Sequence, residues 1–206
     1  MASRSTAMTA GPSGHGVEQP RRQRSDAKRN VAALLEAAKT AFAADGVDAP
    51  AKQITDLAGV GVGTLYRHYP RRSDLIVAVL QQEIDECVAA AEELTGRLSP
   101  WGAVMAWIER FTDFVGTKQG LAAALHSGDP AYEGLPEQLL DQLEPALRTL
   151  LVTAVDAGEV REDVSTQEIM TAIALLSQPV REAQAGFNQR MIGVFLDGLR
   201  FTDPEP

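Results

Sequence analysis

Two sets of residues in this chain could do chemistry at a defined spacing. One is the run Gly59-Val60-Gly61-Val62-Gly63-Thr64-Leu65-Tyr66-Arg67-His68-Tyr69-Pro70, in which alternate glycines lead into an apolar, aromatic and basic segment closed by proline. The other is a scatter of titratable groups: His15, His68 and His126, the lone Cys87, and the acidic pairs Glu92–Glu93 and Glu162–Asp163. The glycine run admits two readings, a loop that cradles a phosphate or a turn that aims a short helix. The titratable groups would have to converge to catalyse a reaction or hold a metal, and none sits in a triad or ligand spacing.

The phosphate reading fails on context. A dinucleotide-binding loop takes the form G-x-G-x-x-G between a strand and a helix. Here the spacing is G-x-G-x-G, the preceding "AKQITDLA" has a helical pattern, and the Walker pattern is missing. A helix–turn–helix fits better. Gly59 can take the left-handed conformation cheaply. Val60 then plugs the core, Gly61 stands at the N-cap and Leu65 points inward. Val62, Gly63, Thr64, Tyr66, Arg67 and His68 are left for solvent or for DNA. Gly63 permits close backbone approach. Thr64 and Tyr66 bring hydroxyls, Arg67 can read guanine with two hydrogen bonds, and His68 can donate to a phosphate. The competing reading is a solvated helix face with an incidental Arg and His.

These residues need elements to position them. Val31, Leu34, Leu35, Ala38 and Phe42 follow the 3.6-residue period up to a stop at Gly46, which predicts a first helix from Asp26. A second runs from about Pro50 to Ala58, a third from Val62 to Tyr69, and a long fourth from Ser73 to Leu94. Beyond "TGRLSP" further helices are expected over 101–118, 119–126, 136–157, 166–178 and 187–201, punctuated by Gly158, Pro179 and Gly186. No alternating pattern suggests a strand, so the fold class is all-α.

Composition limits the setting. One cysteine excludes an internal disulfide and a thiolate zinc site. The N-terminal segment lacks the apolar core of a signal peptide, and no apolar run is long enough to span a membrane, so a cytoplasmic protein is expected. Residues 1–80 carry eleven Lys/Arg against seven Asp/Glu, and residues 81–206 carry eight against twenty-one. A mildly basic end able to meet a polyanion is thus joined to an acidic body that repels one, unless the unevenness is chance.

The segment from Lys28 to Leu75 resembles the DNA-binding domain of TetR-family transcriptional regulators. "NVAALLEAAKTAFAADGVDAP", "ITDLAGVGVGTLYRHYP" and "SDLIVAVL" carry the likeness in order and spacing. The closing "MIGVFLDGLR" is similar to the C-terminus of the SbtR-like group. Residues 1–25, rich in Gly, Pro, Ser and Arg and without periodicity, read as a flexible tail; the resemblance implies a helix-turn-helix DNA-binding domain over 26–72 and a helical ligand-binding and dimerisation domain over 73–206. It implies a double-stranded DNA operator contacted by Gly63, Thr64, Tyr66, Arg67, His68, Tyr69 and Arg72, the last on phosphate at a helix N-terminus. Arg71 stands where a Ser or Thr cap is usual, so a weaker cap is expected. Thr55 stands in place of a small Ala, with a hydroxyl able to bond back to its helix. Arg21, Arg22 and Arg24 read equally as a minor-groove arm or a solvated tail.

The helix over 101–118 is apolar on two flanks, with Trp107 and Phe114 a heptad apart beside the stripe that holds Phe111. By pattern alone this is either packed core or a cavity wall. The resemblance implies an inducer pocket using Trp107, Phe111, Phe114 and His126, with Tyr132 and Arg110 as polar candidates. It also implies a homodimer paired through the last two helices, whose apolar faces carry Ile169, Ile173, Leu176 and Pro179 on one and Phe187, Met191, Val194, Phe195 and Leu199 on the other. The reading is thus a ligand-released repressor with no enzymatic activity, cofactor or metal. A helical small-molecule-binding or scaffold protein without DNA activity is the alternative, and the Arg67/Arg71/Arg72 cluster argues for the first.

Overall fold

The computed structural model describes the backbone of residues 19–120, 127–178, 180 and 186–200, and the side chains of these other than 19–25 and 116–120. Residues 1–18 of the tail expected over 1–25, most of the expected helix over 119–126, His126 and Pro179 lie outside the described residues.

Among the described residues the regular structure is all helical, apart from one antiparallel bridge between Val160 and Arg200. The elements are α1 (Gln19–Asp45), α2 (Ala51–Ala58), α3 (Val62–His68), α4 (Arg72–Thr95), α5 (Pro100–Gly120), α6 (Leu135–Asp156), α7 (Thr166–Leu176) and α8 (Phe187–Asp197), with single 3₁₀ turns at Gly46–Asp48 and Pro130–Tyr132. The first helix begins seven residues before the expected Asp26, so the backbone of Arg21, Arg22 and Arg24, expected in the tail, is helical. The fifth continues through Gly120, across the break expected at 118.

The first three helices form a small unit. Leu34, Ala37, Ala38, Ala41 and Phe42 of α1 face α2 and α4, and the alanines let the backbones approach closely. Ile54 and Leu65 complete this core from α2 and α3. The long α4 then runs from this unit into the rest of the molecule, burying Leu75, Ile76, Val79, Leu80, Ile84, Cys87, Ala90 and Ala91 along its length. It packs against α5 and α6. The core is therefore continuous from the N-terminal unit into the bundle, with α4 as the shared beam.

Local chemistry sets the boundaries of the later helices. Ser165 caps α7 by accepting from the Glu168 N–H, while the Glu168 carboxylate accepts from the Ser165 N–H at 2.8 Å. That reciprocal box holds the Glu168 carboxyl below its ordinary range, the Ser165 hydroxyl contributing most. Past α8, the Arg161 N–H donates to the Leu199 carbonyl at 3.0 Å and closes the chain end onto the loop after α6.

Candidate nucleic-acid interface

The turn between α2 and α3 is built by one glycine. Gly59 sits at φ +66°, the left-handed region, and its N–H donates back to Asp56. The Val60 N–H reaches the Thr55 carbonyl at 3.0 Å, closing the last turn of α2, and the Val60 side chain packs against the core. Thr55 is buried, and its hydroxyl donates to the Lys52 carbonyl at 3.0 Å, the back-bond expected of it. Gly61 is extended and caps α3 with backbone alone, its carbonyl accepting from Thr64 N–H at 2.8 Å. Pro50 stands one place earlier than expected, at the cap of α2.

This turn orients α3 with Leu65 inward, only 3% exposed. The opposite face carries Val62, Gly63, Tyr66, Arg67 and His68, all exposed, with Thr64 half-buried at its edge. Tyr66 is 53% exposed. No hydrogen bond or ion pair among the described residues holds Arg67 or His68. The His68 ring lies 6.4 Å from that of Tyr69, which packs half-buried at the helix end. Burial raises the Tyr69 phenol, so its hydroxyl stays neutral and able to donate.

The two arginines after Pro70 make different contacts. Arg71 provides no side-chain acceptor at the α4 cap, but the third residue of the helix compensates. The Asp74 carboxylate accepts the Arg71 N–H at 3.0 Å and the Arg71 guanidinium at 2.7 Å. These bonds hold the Asp74 carboxyl below its ordinary range, the Arg71 side chain first. The cap is thus made from inside the helix and is not the weak one expected from the missing Ser or Thr.

Arg72 is turned inward. Its guanidinium donates to the Val47 carbonyl through Nε (2.8 Å) and Nη2 (2.6 Å), and to the Ala49 carbonyl through Nη2 (2.6 Å). Its central carbon lies 4.7 Å from the centroid of the Phe42 ring. In the unbound chain this side chain bonds backbone carbonyls. The partners lie 23 and 25 residues away, beyond the reach of local pattern.

The aromatic row of α5 forms a stack. Trp107 and Phe111 have ring centroids 5.6 Å apart, Phe111 and Phe114 6.3 Å, and all three are at most 2% exposed. The Trp107 indole N–H donates to the Cys87 carbonyl of α4 at 2.8 Å. The clefts between α5 and α8 and between α6 and α7 are lined by other residues. Tyr132 is buried at its 3₁₀ turn and Arg110 is exposed. Of the residues expected to mark the pocket, three therefore pack as core in this state.

The apolar faces of α7 and α8 divide in a way periodicity did not resolve. Ile169, Ile173 and Leu199 are buried within the chain, while Leu176 and Phe195 pack partly against its core. The outward apolar residues are Leu175, Val180 and Val194, at 68%, 52% and 65% exposure. Among the described residues, no helix is long and apolar enough to cross a membrane.

Comparison with known proteins agrees with this geometry. Residues 34–79 match the model for bacterial regulatory proteins of the tetR family, and residues 99–201 that for the C-terminal domain of SbtR-like transcriptional regulators. A TetR transcriptional regulator of Streptomyces coelicolor, SCO0520, is 35% identical with a TM-score of 0.69, over 83% of this chain and 98% of that one. A TetR transcription regulatory protein of Mycobacterium vanbaalenii is 31% identical with a TM-score of 0.70, over 87% and 99%. An HTH-type transcriptional regulator of Staphylococcus aureus, SAR0097, is 32% identical over 84 residues, 39% of this chain and 44% of that protein. The match thus spans less than half the length of that curated relative.

Proposed function

The chain belongs to the TetR family of bacterial transcriptional regulators, and on that premise we propose that it is a homodimeric repressor whose α3 helices enter the major groove of a two-fold-symmetric operator. The observation that carries this is the outward face of α3. Its Arg67 guanidinium is exposed, and among the described residues no hydrogen bond or ion pair holds it. It sits on a short helix fixed by a left-handed glycine. Such a guanidinium can give two hydrogen bonds to guanine O6 and N7, while the Thr64 and Tyr66 hydroxyls and His68 serve phosphates or base edges. Gly63 lets the backbone come close, and the phenol of Tyr69 can donate at the helix end.

A two-fold dimer presents two such helices, so the half-sites should lie about one helical turn apart or slightly more. The exposed Leu175, Val180 and Val194 supply apolar surface for that pairing. So does the groove of about 690 Å³ between α6 and α7, bordered by Leu140, Pro145, Met170 and Ala174. Release would follow when a small hydrophobic ligand favours a state in which α4 moves and the two α3 helices spread. The Trp107–Phe111–Phe114 stack is the proposed point of entry, because Trp107 is bonded to α4 directly.

The test is to select duplexes from a randomised pool with the wild-type protein. Arg67→Ala should then lose about 1–3 kcal/mol on the selected duplex and little on random DNA. Equal losses on both would overturn the base-reading role, and a pool that shows no enrichment would overturn the DNA-binding proposal itself. The ligand arm is tested in Trp101→Phe protein, where Trp107 is the remaining tryptophan. A lipophilic compound that releases the duplex should change its fluorescence, and an unchanged signal would move the ligand site elsewhere.

A further inference from the structure

Arg72 lies where several segments of the chain meet. Its guanidinium rests on Phe42 of α1 and bonds the Val47 and Ala49 carbonyls of the connection into α2. Tyr66 of α3, Tyr132 of the 130–132 turn and the carboxylate of Asp48 lie near it. The residue itself opens α4. The carbonyls it bonds fall outside regular α-helix, so an outside donor serves them well. Lysine, a point charge on a flexible stem, cannot reproduce a planar fork that spans two carbonyls.

We propose that Arg72 is a positioning residue for operator recognition: by clamping the Val47 and Ala49 carbonyls it fixes the entry of α2 against the start of α4, and so sets the angle at which α3 meets DNA. This rests on the reading of α3 as the recognition helix. Arg72 acts through the backbone it holds and makes no phosphate contact. The two roles predict different behaviour from a variant that keeps the charge.

The experiment compares Arg72→Lys and Arg72→Gln with wild type on the duplex that wild type selects, and on random DNA, over a salt series. For a clamp, both variants lose about tenfold or more on the selected duplex, as expected when hydrogen bonds from a charged donor go. Arg72→Lys keeps the wild-type salt slope, and the ratio of selected to random affinity falls in both. For a phosphate contact, Arg72→Lys binds as wild type, while Arg72→Gln weakens all DNA alike and flattens the slope by about one unit; that pattern would overturn the proposal.

Because either variant could unfold, the wild-type protein supplies a second measurement. The Arg72 Nε–H signal in nitrogen-15 NMR should be protected from exchange without DNA and stay in place when the selected duplex is added. A signal that is unprotected, or that moves to a phosphate-bonded position, would also overturn it. Failure of wild type to select any duplex is a different result, and it removes the recognition reading on which the clamp rests.

Discussion

Lys39→Met is expected to destabilise the folded chain by about 2 kcal/mol at neutral pH and by much less near pH 5. The cause is Glu83 on the inner face of α4, whose carboxylate is 7% exposed and pairs with Lys39 of α1. Burial pushes the Glu83 carboxyl above its ordinary 4.5; Lys39 pulls it down through a hydrogen bond and its charge, and Glu86 and Glu36 push it further up. Burial lowers the Lys39 ammonium, but the bond and charge of Glu83, with Glu86 and Glu36, outweigh it and hold Lys39 above its ordinary 10.5.

Removing one partner of a fully buried pair costs about 3–5 kcal/mol. Lys39 is 35% exposed, so water screens part of the effect, and about 2 kcal/mol is the discounted figure. The sign follows from linkage. Glu83 has a folded pKa above its unfolded one, so its favourable contribution is complete below the ordinary value and lost as pH rises through the folded value. Without Lys39 both downward influences vanish and the folded pKa climbs further. The loss then continues to higher pH, and the penalty of Lys39→Met grows from pH 5 to pH 8. Urea unfolding followed by circular dichroism at pH 5, 6, 7 and 8 measures it. Adding Glu83→Gln should recover most of the loss, since the amide carries no charge. A penalty equal at pH 5 and pH 8, or no recovery by Glu83→Gln, would refute the reasoning.

Leu175→Arg together with Val194→Arg should leave the monomer folded, because both side chains face solvent, and sedimentation should show loss of the dimer and of operator binding. Leu176→Arg and Phe195→Arg would instead disturb each chain's own core. Trp107→Phe removes the 2.8 Å bond to the Cys87 carbonyl and leaves a void, costing about 2–3 kcal/mol in denaturant unfolding. The same change should speed labelling of Cys87, whose thiol burial pushes up to about 11 in the wild type. Gly59→Ala meets no atom within 4 Å yet must hold φ +66°; a loss of about 1 kcal/mol is expected, and thermal unfolding reads it.

Where structure is local, the sequence made it legible. The turn from Thr55 to Leu65 follows from one glycine in a left-handed conformation, one valine plug and one extended cap, all within eleven residues. The helices follow from apolar period and from Gly and Pro stops, and their bounds shift by a residue or two for most. What escaped is long-range or two-sided. The Val47 and Ala49 carbonyls that Arg72 bonds lie on a different turn of the chain, 25 and 23 residues away, so local pattern could not bring them to it. Helices α7 and α8 are apolar on more than one flank, and period alone could not say that Ile169 and Ile173 turn inward while Leu175 turns out. In α5 the same ambiguity hid a stacked core behind a pattern equally suited to a cavity wall. The N-terminal start of α1 was missed because residues 19–25, polar or charged apart from Pro20, carry no apolar stripe to mark them.

The three glycines of the α2–α3 turn divide into one that the backbone requires and two that it does not. A Cβ at Gly61 or Gly63 would meet no atom within 4 Å, and neither takes a positive φ. Gly63 therefore occupies a site on the outward face of α3, the face proposed to meet DNA, where selection can write almost any side chain without disturbing the fold. Paralogues arising by gene duplication could diverge in operator preference through this codon first, before any change that the core would have to absorb. The same freedom makes position 63 a natural one to randomise when retargeting the protein to a new DNA sequence.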